Sequence, residues 1–510
     1  METRLVAVLE IGSTGIRLLV AEISPCGEWK VVDRSEKPVA LGRDVFTSGG
    51  VSRESLLECL SVLKNFRELL DGWSIRSGDI YLIGTSALRA ARNRDIFEDR
   101  VRHETGFRLS IVEGIEENRL MYLAVRFALK QDLPLFWRAN SMIIEIGGGS
   151  TEVMLLRRGK MVAAHSLALG TILIDQQSRL GPASGRFQER YLNENIRTTA
   201  GFLSAELDLS HIRTFVVAGS DARLVSDLAG SELNENCRII DRESFTGFAE
   251  RIQHYTVDEC VRNLNISYPH AEGLIPSIRI YKLFLEQTPA VQVVVPLVSI
   301  REGFLIDLVM GVDSEPEEDF YSQIIASAMN LGRRYHYDEA HGRHVADLCL
   351  VFFDSLVRQH GMGRPERRML EIAAILHDIG MYINGAGHHR HGYYIVANSE
   401  IFGIRRNELN MIAVVIRYHR GDPPVREDDE YAALPRKERI LVLKMASILR
   451  VADALDRGHA QRVKKINLEQ KAQAMLIHTE GVHDLSLEQI GIEQKADLFQ
   501  DVFGYKIILD

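Results

Sequence analysis

Two short runs of this chain share one pattern: VLEIGSTGIRLLV at Val8–Val20 and IIEIGGGSTEV at Ile143–Val153. Each sets Glu-Ile-Gly and small hydroxylated residues between two apolar, β-prone segments. Strand, glycine turn, strand is a hairpin signal. Neither run has the G-x-x-x-x-G-K-[ST] or G-x-G-x-x-G spacing that precedes a helix. Glycines admit positive φ and close approach of a ligand to the backbone. Successive N–H groups in such a turn form a nest for an anion. One such loop is as readily an ordinary tight turn. Two with matching flanks predict a pair of hairpins facing one cleft and gripping a phosphate from both sides. Gly12, Gly147, Gly148 and Gly149 supply the turns, and Ser13, Thr14, Ser150 and Thr151 add hydroxyl donors. Glu10 and Glu145 would hold a hard cation, Mg²⁺ with Mn²⁺ as the alternative, because such ions take oxygen ligands.

The flanking sequence makes each hairpin the start of an α/β half. Val6–Leu9, Leu18–Ile23, Ile80–Gly84 and RLSIV read as strands; Arg53–Leu70, opened by Ser52, and Ile115–Leu129 read as helices. The alternation restarts at Ser141–Glu145, Glu152–Leu156 and Lys160–Ser166. It continues through helices to about Leu207, FVVAGSDARLVSDLAG and the strand Val291–Val295. Such alternation predicts an α/β fold. At 510 residues the chain exceeds one core. The acidic, proline-bearing GVDSEPEED reads as a linker, and beyond it long histidine-rich helices dominate. The predicted domains are 1–130 and 131–311 as two lobes, 312–319 as linker, 320–463 as a helical domain and 464–510 as a small mixed subdomain.

No apolar run reaches the roughly 18 residues of a membrane span, and the N-terminus opens in a strand-like segment without a signal-peptide pattern. The five scattered cysteines, without a C-x-x-C pair, favour a reducing cytoplasm and argue against a disulfide framework or a thiolate zinc site. A net charge of −9 argues against nucleic acid as a partner, so a polyanionic ligand needs a local basic pocket.

The pieces EIGSTGIRLLV, GTSALRAARN, IVEGIEENRLMYLAV, IIEIGGGSTEV, SLALGTILI, VVAGSDARL and SIREGFLIDL, in this order, resemble the exopolyphosphatase/guanosine pentaphosphate phosphatase family. That resemblance implies the two-lobed actin/hexokinase/Hsp70-like fold and hydrolysis of inorganic polyphosphate or of guanosine pentaphosphate to tetraphosphate, in a homodimer. It implies Glu117 as general base toward water and Arg89 and Arg17 as phosphate-binding cations. Glu152 matches an acid that follows the second loop and joins the metal set. The chain departs from the family in having Glu10 and Glu145 where Asp is usual, Thr14 where Asn is usual, and Gly219-Ser220-Asp221 where GGT is usual. Each Asp-to-Glu change moves a carboxylate outward by one methylene.

In the C-terminal part, His341, the His377-Asp378 dipeptide in AAILHDIG, and Asp453 follow the H…HD…D order of HD-domain phosphohydrolases. Imidazole and carboxylate ligands spread over several helices assemble a metal site. His388 and His419 would complete a second one, while His344 and Asp456 read as peripheral. Two rival readings follow. In one, the HD domain hydrolyses and the front half senses; in the other, the Glu10 and Glu145 changes leave a cleft that only binds polyphosphate or an alarmone nucleotide.

Overall fold

The computed structural model describes residues 3–129, 133–174, 185–205, 207–309, 315–479 and 484–510. The chain forms two compact units, Met1–Gln323 and Ile324–Asp510.

In the first unit, both Glu-Ile-Gly runs are hairpins. Strands β1 (Arg4–Ile11), β2 (Gly15–Ile23), β3 (Trp29–Pro38), β4 (Ile80–Gly84) and β5 (Leu109–Ile111) form a sheet in the order β3-β2-β1-β4-β5. Strands β6 (Asn140–Ile146), β7 (Thr151–Arg157), β8 (Lys160–Leu167), β9 (Ile212–Ala218), β10 (Ser231–Asn234), β11 (Cys237–Asp241) and β12 (Gln292–Pro296) form the second, in the order β10-β11-β12-β9-β6-β7-β8. The two orders share a frame. An antiparallel meander (β1-β2-β3, β6-β7-β8) is followed by parallel additions beside its first strand (β4 and β5, β9 and β12).

The register brings Glu10 opposite Arg17 in the first hairpin and Glu145 opposite Glu152 in the second. The first strand of each meander, β1 and β6, is largely apolar on both faces, as sheets covered on both sides require. One core packs the first sheet against the helices Leu41–Ser48, Arg53–Gly72 and Arg94–Thr105. The other packs the second sheet against Gly185–Ser204, Ser220–Ala229, Arg242–Ile252 and Tyr268–Glu286. Ser52 caps the Arg53 helix by accepting from the Ser55 N–H.

The two halves exchange their last helices. Gly114–Leu129 packs on β7, β8 and β12 of the second sheet, and Ile300–Val309 packs on β1 and β2 of the first. The two helices press together at Gly303, where a Cβ would lie 1.9 Å from the Leu120 carbonyl oxygen. A cut at 130/131 therefore divides the sequence but not the packing.

Of the predicted linker, 312–314 lie outside the described residues, and from Glu315 the chain is already in the helix Glu315–Arg334. Residues 175–184 and 206, within the helical stretch predicted up to Leu207, also lie outside them. In the second unit, the helices Glu339–Ser355, Arg364–Leu376, His388–Ala397, Arg406–Arg417 and Arg436–Ala454 carry the histidines or the turns that hold them. Strands β13 (Ile466–Gln470), β14 (Ala474–Thr479) and β15 (Lys506–Leu509) form a three-stranded sheet in the same unit. Among the described residues no helix is long and apolar enough to cross a membrane.

Candidate active site

The two hairpin turns meet across a cleft of about 560 Å³ in the first unit. Gly12, Ser13, Thr14, Gly147, Gly148 and Ser150 line it. A Cβ on Gly148 would lie 2.8 Å from the Ser13 Cβ and 2.8 Å from Ile172 Cδ1, so the second loop closes directly on the first. None of Gly12, Gly147, Gly148 or Gly149 has positive φ. These glycines are needed for space rather than for left-handed backbone. Gly219, which opens the Ser220 helix at φ 105°, is the cleft glycine that uses that freedom.

Each loop is braced by the segment that follows its meander. Val39 N–H donates to Thr14 O (3.1 Å) and Gly42 N–H to Ser13 O (2.7 Å). Thr171 N–H donates to Gly147 O (3.1 Å) and Ile172 N–H to Gly148 O (2.9 Å). Among the described residues the N–H groups of Ser13, Thr14, Gly148, Gly149 and Ser150 have no protein acceptor. They form two facing sets of donors suited to an oxyanion.

Four carboxylates converge beside these donors: Glu10, Glu117, Glu145 and Glu152. Glu10 lies between two guanidinium groups, Arg17 Nη1 at 3.5 Å and Arg301 Nε at 3.3 Å. Glu117 enters from the first turns of the Gly114 helix and accepts from Arg89 Nη1 at 2.5 Å. Burial pushes the Glu117 carboxyl up to about 7 against the pull of Arg89. Glu152 accepts from Ser166 Oγ (2.7 Å) and Asn118 Nδ2 (3.0 Å), yet burial and then the charge of Glu117 push it up to about 8. Glu145 has no hydrogen-bond donor among the described residues. Burial, then Glu117, Glu10 and Glu152, push its carboxyl well above the ordinary range. An all-oxygen donor set with excess negative charge fits a hard divalent cation.

Three expected residues fall elsewhere. Thr151 is fully buried and its hydroxyl donates to the Leu169 carbonyl, not into the cleft. Gly149 is pressed beneath Phe46, where a Cβ would sit 2.0 Å from Cζ. Arg89 does not line the cleft; it holds Glu117 and donates to the Val112 carbonyl (2.6 Å). Arg17 does line it, with Nε 2.9 Å from Glu36 and Nη2 donating to Thr14 Oγ1 at 3.2 Å.

The structure also adds residues that sequence reasoning missed. Arg301 and Arg223 line the cleft, and the Arg223 Nε is buried without an acceptor among the described residues. Burial lowers the Arg223 pKa, with Arg34 and Arg301 adding to the effect. Their sequence signal is slight: each is an arginine one or two positions from an acidic residue in the segments SIREGFLIDL and VVAGSDARL. Asp221, which also lines the cleft, is held by the Ser277 hydroxyl, and burial raises its pKa.

The second unit gathers the predicted histidines. His341 Nε2 lies 3.2 Å from His377 Nε2, and both are 3.7 Å from Asp453 Oδ1. His388 Nε2 lies 3.2 Å from His419 Nε2, with Asp378 Oδ1 at 3.0 and 3.7 Å from the two. Asp378 Oδ1 is also 3.7 Å from His377 Nε2, so it stands between the two pairs. Each Nδ1 is turned outward: His341 to Asp456 (2.8 Å), His377 to Ala374 O (2.7 Å), His388 to Gly385 O (3.0 Å), His419 to Ile416 O (2.7 Å). Outward Nδ1–H bonds fix the tautomer that leaves Nε2 as a ligand. Donor spacings near 3.2 Å match the edges, about 3.0–3.4 Å, of a coordination shell with bonds of about 2.1 Å. Burial lowers the His341 pKa, but Asp453 and Asp456 raise it to about 9.

Asp456, read as peripheral, is the buried partner of His341. His459 was missed. It stacks on His341 at 3.6 Å and joins Asp338 at 3.3 Å, with φ 50°.

Residues 19–311 match the family described as the Ppx/GppA phosphatase family, and residues 325–496 match Ppx/GppA phosphatase, domain III. The guanosine-5'-triphosphate,3'-diphosphate pyrophosphatase of Pseudoalteromonas atlantica is 24% identical over 464 residues, 88% of this chain and 86% of that protein. An exopolyphosphatase structure from Cytophaga hutchinsonii has a TM-score of 0.55 at 18% identity, covering 61% of this chain and 99% of that one. A Ppx/GppA family member from Aquifex aeolicus has a TM-score of 0.50 at 20% identity, covering 60% and 98%. The two structures share the two-lobed actin-like fold with this chain.

Proposed function

The chain belongs to the Ppx/GppA phosphatase family, and from that premise we propose that its cleft hydrolyses the terminal phosphoanhydride of inorganic polyphosphate, with guanosine pentaphosphate as a second substrate. The observation that carries this reading is the pair of facing turns whose N–H groups have no protein acceptor among the described residues, set beside four carboxylates. In this reading the turns at Ser13–Thr14 and Gly148–Ser150 hold the terminal phosphoryl oxygens. Arg301, Arg223 and Arg17 take the negative charge of the phosphates behind it. Glu117 removes a proton from water as the water oxygen bonds to phosphorus and the bridging P–O bond breaks, releasing inorganic phosphate. Arg89 fixes one oxygen of Glu117, and a pKa near 7 keeps the other basic at neutral pH without making it inert. Glu145 and Glu152, with Glu10, are the residues that would hold Mg²⁺. When bound, that ion neutralises charge on the transferred group.

Phosphate release from long-chain polyphosphate and from guanosine pentaphosphate tests this. The Glu117→Gln variant should lose about 10²–10⁴-fold in turnover while polyphosphate binding changes little. Full activity in that variant overturns the assignment.

We also infer a metal centre in the second unit, of the HD type, with His341, His377, Asp378 and Asp453 around one ion and His388, His419 and Asp378 around another. The paired inward Nε2 atoms, with every Nδ1 already engaged, favour it. Mixed imidazole and carboxylate ligands suit Mn²⁺, Fe²⁺, Co²⁺ or Zn²⁺.

A further inference from the structure

One charged side chain reaches the histidine cluster from outside the predicted ligand set. Lys495 ends the helix Ser486–Lys495, and its ammonium is ion-paired with Asp453 Oδ2. The other oxygen, Oδ1, is the one that faces His341 and His377. The carboxylate is thus divided, one oxygen toward the cluster and one toward the lysine. A lysine that competed with a metal would hold the inward oxygen.

Two further features hold this lysine in place. Arg450, buried one turn before Asp453, donates from Nε to the Lys495 carbonyl (2.9 Å) and from Nη2 to Asp497 Oδ1 (3.0 Å). Its Nη1 donates to the Gly421 carbonyl (2.8 Å), two residues past His419. One guanidinium therefore ties the Lys495 backbone to the loop after a cluster histidine. Gly491 lets the same helix press on Arg436–Ala454: a Cβ there would lie 3.0 Å from the Ala454 carbonyl oxygen. An ammonium has three donors, and among the described residues Asp453 is the only side chain that Lys495 engages.

We propose that Lys495 binds a phosphate oxygen of a phosphoryl ligand at the second unit's metal centre, while holding Asp453 so that a single oxygen points inward. This rests on the metal reading of that cluster. A compact cation with unused donors beside paired divalent ions suits a phosphoryl dianion. The C-terminal segment that carries Lys495 is then part of the site.

The test uses the full chain loaded with Co²⁺, whose visible band reports histidine ligation and so separates this centre from the carboxylate cleft. Inorganic phosphate is titrated while the band is followed. In the unmodified protein the band should respond saturably. Lys495→Met should keep the same Co²⁺ content and the same band, with the phosphate midpoint weakened roughly tenfold or more, the size expected for a lost charge-assisted hydrogen bond. Lys495→Arg, which keeps the charge, should fall between the two. An unchanged midpoint in Lys495→Met overturns the proposal. Loss of the band in both variants also overturns it, reducing Lys495 to a support for Asp453. Absence of a histidine-type band in the unmodified protein overturns the metal reading, and this proposal with it.

Discussion

The two Glu-Ile-Gly hairpins of the first unit share strand order, turn position and bracing, yet carry opposite electrostatics. In the first, Glu10 faces Arg17 across the ladder and Arg301 closes on its other side. In the second, Glu145 faces Glu152, a like-charge pair that destabilises a sheet when nothing lies between the charges. One arm is neutralised by protein; in the other, Glu145 and Glu152 have no ion-paired cation among the described residues. On the proposed reading the repeat supplies the phosphate grip twice, while the metal would rest mainly on Glu145 and Glu152 of the second copy, with a lesser share from Glu10. The added methylene at Glu145 then acts on a carboxylate with no hydrogen-bond donor among the described residues, whereas Glu10 is already paired with two guanidinium groups.

The sharpest way to break this comparison is to neutralise each acid separately. Glu145→Gln should raise the Mg²⁺ concentration for half-maximal phosphate release by roughly 100-fold, within the range for losing a metal-site interaction. Glu10→Gln should raise it only a few-fold and act mainly through Arg17 and Arg301, which lose their shared partner. Equal effects would show that both hairpins hold the ion.

How far the chain could be read in advance follows from which interactions are local. The hairpins were legible because strand periodicity and turn residues lie within a dozen positions of Glu10 and Glu145. The third strand, Trp29–Pro38, was not, because its polar run KVVDRSEK carries little apolar alternation. Loop glycines suggest positive φ by habit, but Gly148 is small because Ser13 and Ile172, distant in sequence, close on it. Thr151 and Arg89 looked like ligand donors, and the partners that claim them, Leu169 O and Glu117, are known only from packing. Arg301 joins Glu10 because the last helices of the two halves cross over, which no local pattern announces. The histidine ligands were readable as a spaced set, whereas Lys495 lies 42 residues beyond Asp453 in unremarked sequence.

A smaller effect separates how the two turns are built. Gly12 abuts the end of a flexible side chain, Arg17 Nη1 at 2.8 Å. Gly170, which braces the second turn, abuts backbone: its Cβ would lie 2.3 Å from the Gly148 carbonyl oxygen. Gly170→Ala should therefore cost about 1–3 kcal/mol, as overpacking does. Gly12→Ala should stay under about 1 kcal/mol because Arg17 can move aside. Urea unfolding of both variants at constant m-value gives the comparison. If Gly12→Ala proves the more destabilising, the first turn is the rigid one.

The least of the expected effects reads the charge imbalance as a pH dependence. In metal-free protein, burial raises the Glu117 and Glu152 carboxyls to about 7 and about 8, from an ordinary value of 4.5. Between those limits the native state binds more protons than the unfolded state, so stability must fall as pH rises. It is greatest below about 4.5 for these groups and stops falling above about 8. Melting temperature in the presence of a chelator should drop by a few degrees from about pH 5.5 to about pH 8.5. Mg²⁺ should restore it, because the cation replaces the bound protons as the neutralising charge. Glu152→Gln should flatten the slope most, and Glu10→Gln less, since the Glu10 charge is a lesser cause of the raised Glu117 carboxyl. A slope that persists in Glu152→Gln but vanishes in Glu10→Gln would move the uncompensated charge to the first hairpin and reverse the comparison.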